Sequence, residues 1–374
     1  MIAAGRRLSG DPALARLWCE RLAASAAASR LLLLLAGTDT AAVPGISAAG
    51  ATPQARRWTA AADAELLLLG PGRRRPHALP PLPAGVSPAL ITWVVAQQLG
   101  LDPLVVDLGA PVVPAVPHLQ LGQPPAACLS TGAAMPALRV QQLLALGRRW
   151  GERLARRPEP LLLAECVPGG TTTAQAVLQA LGVEAGGLVS GSLRDPAHGL
   201  KQQLVQRGLA AAALGPDPSA TAVLAAVGDP MQAVAAGLVL AAAQADLPVM
   251  LAGGSQMAAV LALALALAEP AQRPALCARV AIATTAWVAA EAGSDLAALL
   301  GRIAERWSSE PLAFAASLRF SGCRSPQLLA YEQGYVKEGV GAGGLALLWE
   351  LSGRSPEALA VACDQACDQL QAAT

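Results

Sequence analysis

Lysine is almost missing from this sequence: of 27 basic residues only two, Lys201 and Lys337, are lysine. Aromatic residues are also scarce, at 3%, and the two Phe and two Tyr all fall between Phe314 and Tyr335. The segment around Lys337 therefore keeps residue types that the rest of the chain avoids. Charged residues make up 14% against 54% hydrophobic, the reverse of the balance that keeps a chain disordered. With 27 basic and 26 acidic residues there is no net field to draw the chain onto nucleic acid or an acidic membrane, and neither partner is expected. Long apolar runs are lacking too. Ala233–Ala243 and Met257–Ala268 are shorter than the roughly 18 residues of a spanning helix, so both read as buried Ala-rich helices. Arg6 and Arg7 are not followed by an apolar stretch and cleavage site, so no signal peptide is expected. The seven cysteines are odd in number and scattered, which argues against a disulfide framework and for a reducing cytoplasm. His77, His118 and His198 lie far apart and read as loop residues, so no metal and no cofactor is expected.

At 374 residues the chain has room for two or three domains or one large α/β unit. Leu31–Ala36, Leu66–Leu69, Leu104–Asp107, Leu161–Glu165, Ala222–Val227, Leu247–Ala252 and Arg279–Ala283 read as buried strands. Ser87–Leu99, Ala137–Arg156, Thr171–Leu181, Met231–Ala243 and Gln256–Leu267 read as helices between them. Strand, glycine turn, helix, strand is the grammar of an α/β fold with a Rossmann-like, doubly wound, mainly parallel sheet. Near the N-terminus, Asp11 and Pro12 look like an N-cap and a first helical residue, and Leu14, Leu17, Trp18 and Leu22 like one apolar face. The tail after Phe320 also reads as helical. The expected organisation is a large domain over 28–320 and a small helical domain built from 1–27 and 321–374. The proline-rich stretches Pro71–Pro88 and Pro111–Pro125 read as solvated loops.

Three glycine turns should converge on the C-terminal edge of such a sheet, where open α/β sheets bind ligands. The strongest runs from Glu165 through Gly169, Gly170, Thr171 and Thr172 to Thr173, after a strand and before a helix. Glycines allow close approach, and a helix N-terminus offers free N–H groups to a phosphate or carboxylate. The same run also suits an ordinary turn capped by threonine, and it lacks the lysine and spacing of a P-loop. The second turn, Gly228 to Gln232, offers Asp229 as a ligand group or as a simple cap before Pro230. The third carries Gly253, Gly254, Ser255 and Gln256. Farther on, Lys337-Glu338-Gly339-Val340-Gly341 sets a carboxylate among glycines, as a general base would need or as a solvated Glu–Lys turn would show.

Glu165 to Thr172, Gly253-Gly254 and Glu338-Gly339-Val340-Gly341-Ala342 occur in the same order as in the nicotinate-nucleotide:dimethylbenzimidazole phosphoribosyltransferase family. Gly45 to Gly50, Val227 to Gln232 and Val336 to Gly344 closely resemble its archaeal and cyanobacterial branch. The resemblance spans nearly the whole chain. It implies transfer of ribose phosphate from nicotinate mononucleotide to a base nitrogen of dimethylbenzimidazole, giving an α-ribazole phosphate for the lower ligand of cobalamin. It also implies a homodimer with the neighbour's small domain near each site. Glu338 then matches the catalytic glutamate and Glu165 a second site glutamate. Gly169, Thr171 and Thr172 match the nucleotide-binding motif, with Gly170 where the family has Asn. Gln256 stands where the characterised enzymes carry Glu, and Thr284-Thr285 stands for their Asp-Gly. These departures motivate an alternative, a homologue that binds a nucleotide or corrinoid intermediate without turnover. A structural subunit of a pathway complex is a third reading.

Overall fold

The protein is described by a computed structural model covering residues 5–373. Eight strands among the described residues form one sheet: β1 (Arg6–Ser9), β2 (Arg30–Leu35), β3 (Leu104–Asp107), β4 (Leu119–Gln120), β5 (Leu161–Cys166), β6 (Val249–Ala252), β7 (Val280–Thr284) and β8 (Leu312–Ala315). Their order is β1-β8-β7-β6-β5-β2-β3-β4, and every pairing is parallel except β1 with β8. The unbroken leucines of β2 follow from burial on both faces. Leu31, Leu33 and Leu35 join one core cluster with Leu162 and Ala164, while Leu32 and Leu34 join the other with Leu161 and Leu163. From β2 the chain moves out to β3 and β4, then returns to β5 on the opposite side. The sheet therefore switches direction between β2 and β5, the place where such sheets open a ligand crevice beyond their strand ends.

Helices stand at Ala89–Leu99, Ala137–Leu154, Gly170–Ala180, Pro230–Gln244 and Ser255–Leu267, close to where the periodicity puts them. Two runs expected as strands are helical. Leu66–Leu69 ends the helix Thr59–Leu69, and Ala222–Val227 lies in the helix Ala220–Val227. The runs themselves carry no polar residue, Leu66–Leu69 because it is mostly buried and Ala222–Val227 because alanines fill its half-buried face, and a short apolar run looks the same in either state. The strands β1, β4 and β8 are not among those expected, and β4 lies in the stretch Pro111–Pro125 that reads as a loop.

Both chain ends pack against the sheet. Asp11 does cap the helix Pro12–Ala23, accepting from Ala13 and Leu14 N–H at 2.9 Å each. Trp18 and Leu22 are buried, but Leu14 and Leu17 are exposed, so the apolar face is narrower than expected. Segment 1–27 also contributes β1, which hydrogen-bonds to β8. The helix Ala342–Leu351 packs on β6 and β7, with Leu345, Leu347 and Leu348 in the same core cluster as Leu31 and Leu33. Its glycines permit this: a Cβ at Gly343 or Gly344 would overlap Thr284 or Ala252. The helix Pro356–Ala372 lies against Ala89–Leu99.

Candidate active site

A cavity of about 400 Å³ opens beyond the C-terminal ends of the central strands. Glu165 enters it from the end of β5, and Glu338 from the loop before the helix Ala342–Leu351. The loop around Glu338 is strained. Val336, Lys337 and Val340 have φ of 65°, 65° and 53°, and they are three of the six non-glycine residues with positive φ among those described. Left-handed geometry is unfavourable for β-branched side chains and persists only where surrounding contacts impose it. Here Val340 N–H donates to Glu165 C=O at 2.9 Å and Thr92 Oγ1 to Val340 C=O at 2.7 Å, tying the loop to β5 and to the helix Ala89–Leu99.

The two carboxyls sit in unlike settings. Glu338 accepts four hydrogen bonds: from Thr284 Oγ1 (2.8 Å) and Thr285 N–H (3.0 Å) on one oxygen, and from Gly339 and Gly343 N–H (3.1 Å each) on the other. Burial raises its pKa, and these donors oppose the rise without cancelling it. Glu165 is 4% exposed and accepts one backbone bond, from Val167 N–H at 3.0 Å. Burial pushes it up to about 8, the Val167 bond works against this, and the charges of Glu338 and Asp229 add to it. Burial thus raises both carboxyls, Glu165 up to about 8, while Glu338 has more hydrogen-bond donors opposing the rise. Such divergence is how one site supplies an acid and a base.

Two helices begin at the cavity: Gly170–Ala180 through Gly169, Gly170 and Thr171, and Ser255–Leu267 through Gly254, Ser255 and Gln256. A helix N-terminus favours an anion, although at the first of these helices Gly170 and Thr172 N–H already donate to Val167 and Gly169 C=O. Gly170 and Gln256 are coupled. A Cβ at Gly170 would overlap Gln256 Oε1, so the glutamine fills the space that a side chain at 170 would take. The two departures from the family pattern thus fit each other, and the nearby Gln256 side chain counters part of the upward shift of Glu165. Thr284-Thr285, the third departure, does not vacate the site, because both residues bind Glu338.

Several expected residues lie elsewhere. Asp229 is fully buried behind the cavity, in a capping box with Gln232 and with Thr173 Oγ1 at 2.6 Å, so its simple capping role is the one the structure displays. The turn it occupies follows a helix rather than a strand. Lys337 does not pair with Glu338. Its Nζ is buried against Glu291 Oε1 (2.5 Å) and Leu193 C=O (2.7 Å). Thr172, Gly253 and Gly341 also lie off the cavity wall. Thr172 is buried, Gly253 turns under Met257, and Gly341 caps a helix against Ala164.

Other wall residues escaped sequence reading. Residues 78–88 of the first proline-rich loop form an apolar side of the cavity, so that stretch is not merely a solvated loop. Glu65, fully buried, anchors both proline-rich stretches by accepting from His77 N–H (2.7 Å) and Nδ1 (2.6 Å) and from Ala115 N–H (2.9 Å). Arg56 organises the loop 41–50 through the carbonyls of Ala41, Val43, Ser47 and Gly50. Ser190, Gly191 and Ser192 form another wall, and the chain's other lysine, Lys201, holds Ser190 C=O at 2.6 Å. Arg75 is the one cation among the described wall residues. Acidic residues inside the apolar run Thr59–Leu69 were the available signal for Asp63 and Glu65. Among the described residues, no group of three or more His, Cys, Asp or Glu could hold a metal, and no helix is long and apolar enough to cross a membrane.

A sequence profile described as phosphoribosyltransferase matches residues 89–299. A UPF0284 protein of Prochlorococcus marinus (strain MIT 9313) is 56% identical over 349 residues, covering 91% of this chain and 86% of the relative. The chain belongs to the nicotinate-nucleotide:dimethylbenzimidazole phosphoribosyltransferase family. A second relative in this family, a UPF0284 protein of Parasynechococcus marenigrum (strain WH8102), is 53% identical and covers 95% of this chain and 90% of its own. The fold is shared with CobT from Thermus thermophilus, at a TM-score of 0.57, 21% identity and coverage of 94% of this chain and 95% of that one. A nicotinate-nucleotide-dimethylbenzimidazole phosphoribosyltransferase structure from the same organism gives a TM-score of 0.56, 20% identity and coverage of 98% and 99%.

Proposed function

We propose that this phosphoribosyltransferase moves ribose phosphate from nicotinate mononucleotide to a nitrogen of a planar aromatic base resembling dimethylbenzimidazole, giving an α-ribazole-type phosphate for the lower ligand of cobalamin. The observation that carries this reading is the unlike pair Glu165 and Glu338, facing one cavity that is apolar on one side and offers two helix N-termini on another. The N-termini and Thr171 suit the phosphate. Arg75, whose Nε has no partner, suits an anionic group of the nucleotide. The proline-rich wall with Val288 and Val340 gives the apolar slot that a flat base requires.

The acceptor nitrogen attacks the anomeric carbon with inversion as the bond to nicotinate breaks. That bond's electron pair returns to the nicotinate ring nitrogen, and the acceptor's proton passes to Glu338. Neutral Glu165 limits the negative charge beside the incoming phosphate and offers an O–H to the substrate. The purified protein should release nicotinate from nicotinate mononucleotide only when a base is added, with dimethylbenzimidazole and adenine tested side by side. Clear nucleotide binding by calorimetry without release under any condition would replace this reading with a binding protein. The same reading makes the protein a cytoplasmic homodimer, in keeping with seven free cysteines and the exposed Leu14 and Leu17. A monomer mass by light scattering at assay concentration would remove the dimer.

A further inference from the structure

The wall around Asp63 does not fit a wholly apolar acceptor. Asp63 comes from the middle of the helix Thr59–Leu69, is 4% exposed and lines the same cavity as Glu165 and Glu338. Ser87 Oγ, in the proline-rich wall, donates to Asp63 Oδ1 at 2.6 Å. Ser87 Oγ in turn accepts from Ala89 N–H at 3.1 Å, which fixes its direction. Asp63 Oδ2 meets only the Cys166 thiol, at 3.4 Å. A thiol is a weak donor, so a buried carboxylate oxygen is left with much of its accepting capacity unused. Such a group costs free energy in the empty site and recovers it when a proper donor arrives. The surrounding wall, with Val86 and Pro88 beside Ser87, would take the faces of a flat ring and leave its edge at Asp63.

We infer that Asp63 selects the acceptor, by taking a hydrogen bond from an amino or hydroxyl group on the ring edge away from the reacting nitrogen. This rests on the transferase reading for the ring's location but assigns a residue and a substrate feature to it. The preferred acceptor is a fused azole with a polar, donor-bearing edge rather than one with methyl groups there. Glu338 remains the group that takes the reacting proton, so the two carboxylates read two different hydrogens.

The test is equilibrium binding by calorimetry with nicotinate mononucleotide left out, so that no transfer occurs. The probes are benzimidazoles carrying hydroxyl, amino or methyl at the same ring carbon. The wild-type protein should bind the hydroxyl and amino probes about tenfold or more tightly than the methyl probe, as a hydrogen bond to a charged acceptor warrants. Asp63→Leu should lose or reverse that order. In Asp63→Asn, Ser87 holds the amide oxygen and turns the NH2 toward the ring, so the amino probe should lose its advantage, while the hydroxyl probe can rotate and accept. Equal binding of all three probes by the wild-type protein, or a donor preference that survives in Asp63→Leu, would overturn the inference. The wild-type comparison needs no folded variant. Nicotinate release in parallel separates the two ideas: release without the preference removes Asp63's role alone, and the preference without release removes the transfer alone.

Discussion

Replacing Glu338 with alanine should lower base-dependent nicotinate release about 100- to 10,000-fold, the usual contribution of a general base. Nucleotide affinity should change far less. Glu338 lies at the reacting end, and the helix N-termini proposed to hold the phosphate belong to other elements. The alanine also leaves Thr284 Oγ1 and three backbone N–H groups without their acceptor. A stability measurement therefore belongs beside the kinetics. Glu338→Gln keeps a side chain of the same shape and separates lost basicity from lost packing. It too should be severely slowed, since an amide takes no proton. Full activity in either variant would show that another group accepts the proton.

Glu165 carries the second large effect, and it is read through pH. Its folded pKa of about 8 lies above the ordinary 4.5, so the folded protein holds this proton more tightly than the unfolded chain does. Stability is therefore lost as pH rises from about 4.5 toward 8, at on the order of 1.4 kcal/mol per pH unit, and levels off above. Glu165→Gln keeps the neutral shape at every pH and still accepts from Val167 N–H. It should match the wild type in thermal unfolding near pH 4.5 and exceed it by several degrees above pH 8. The wild-type rate should also fall as pH rises through about 8, where Glu165 ionises beside Glu338. The glutamine variant should lose that alkaline limb. An unchanged limb in the variant would assign it to another group, and equal unfolding temperatures at pH 9 would mean that Glu165 is not held neutral.

The glutamates were legible before the fold because each sits in a short, unusual string. Glu165 ends a leucine-rich strand at a Gly-Gly-Thr-Thr turn, and Glu338 lies among glycines in the one segment that holds both tyrosines and a lysine. Asp63, Ser87 and Ser190 carried no comparable string. Asp63 and Ser87 meet Glu165 because β2, which precedes them, pairs with β5 in the sheet, and Ser190 returns to the cavity only after the helix Gly170–Ala180. Lys337 shows the opposite failure. Its rarity drew attention to it, but its partner is Glu291, 46 residues away, and adjacency to Glu338 gave the wrong pairing.

From its sequence alone this protein is an α/β chain whose strands are buried on both faces and whose glycine turns place Glu165 and Glu338 at one edge. Those features are local: an apolar run with no polar face, a turn that admits close approach, a cap beside proline. Whether Leu66–Leu69 and Ala222–Val227 were strand or helix was decided by tertiary packing, since a short run of apolar residues carries no periodicity that tells them apart. Packing also turned a proline-rich stretch into a cavity wall, sent Asp229 and Lys337 inward, and gave the two glutamates different numbers of donors. Burial and hydrogen-bond partners come from residues distant in the chain, and they set which carboxyl keeps its proton.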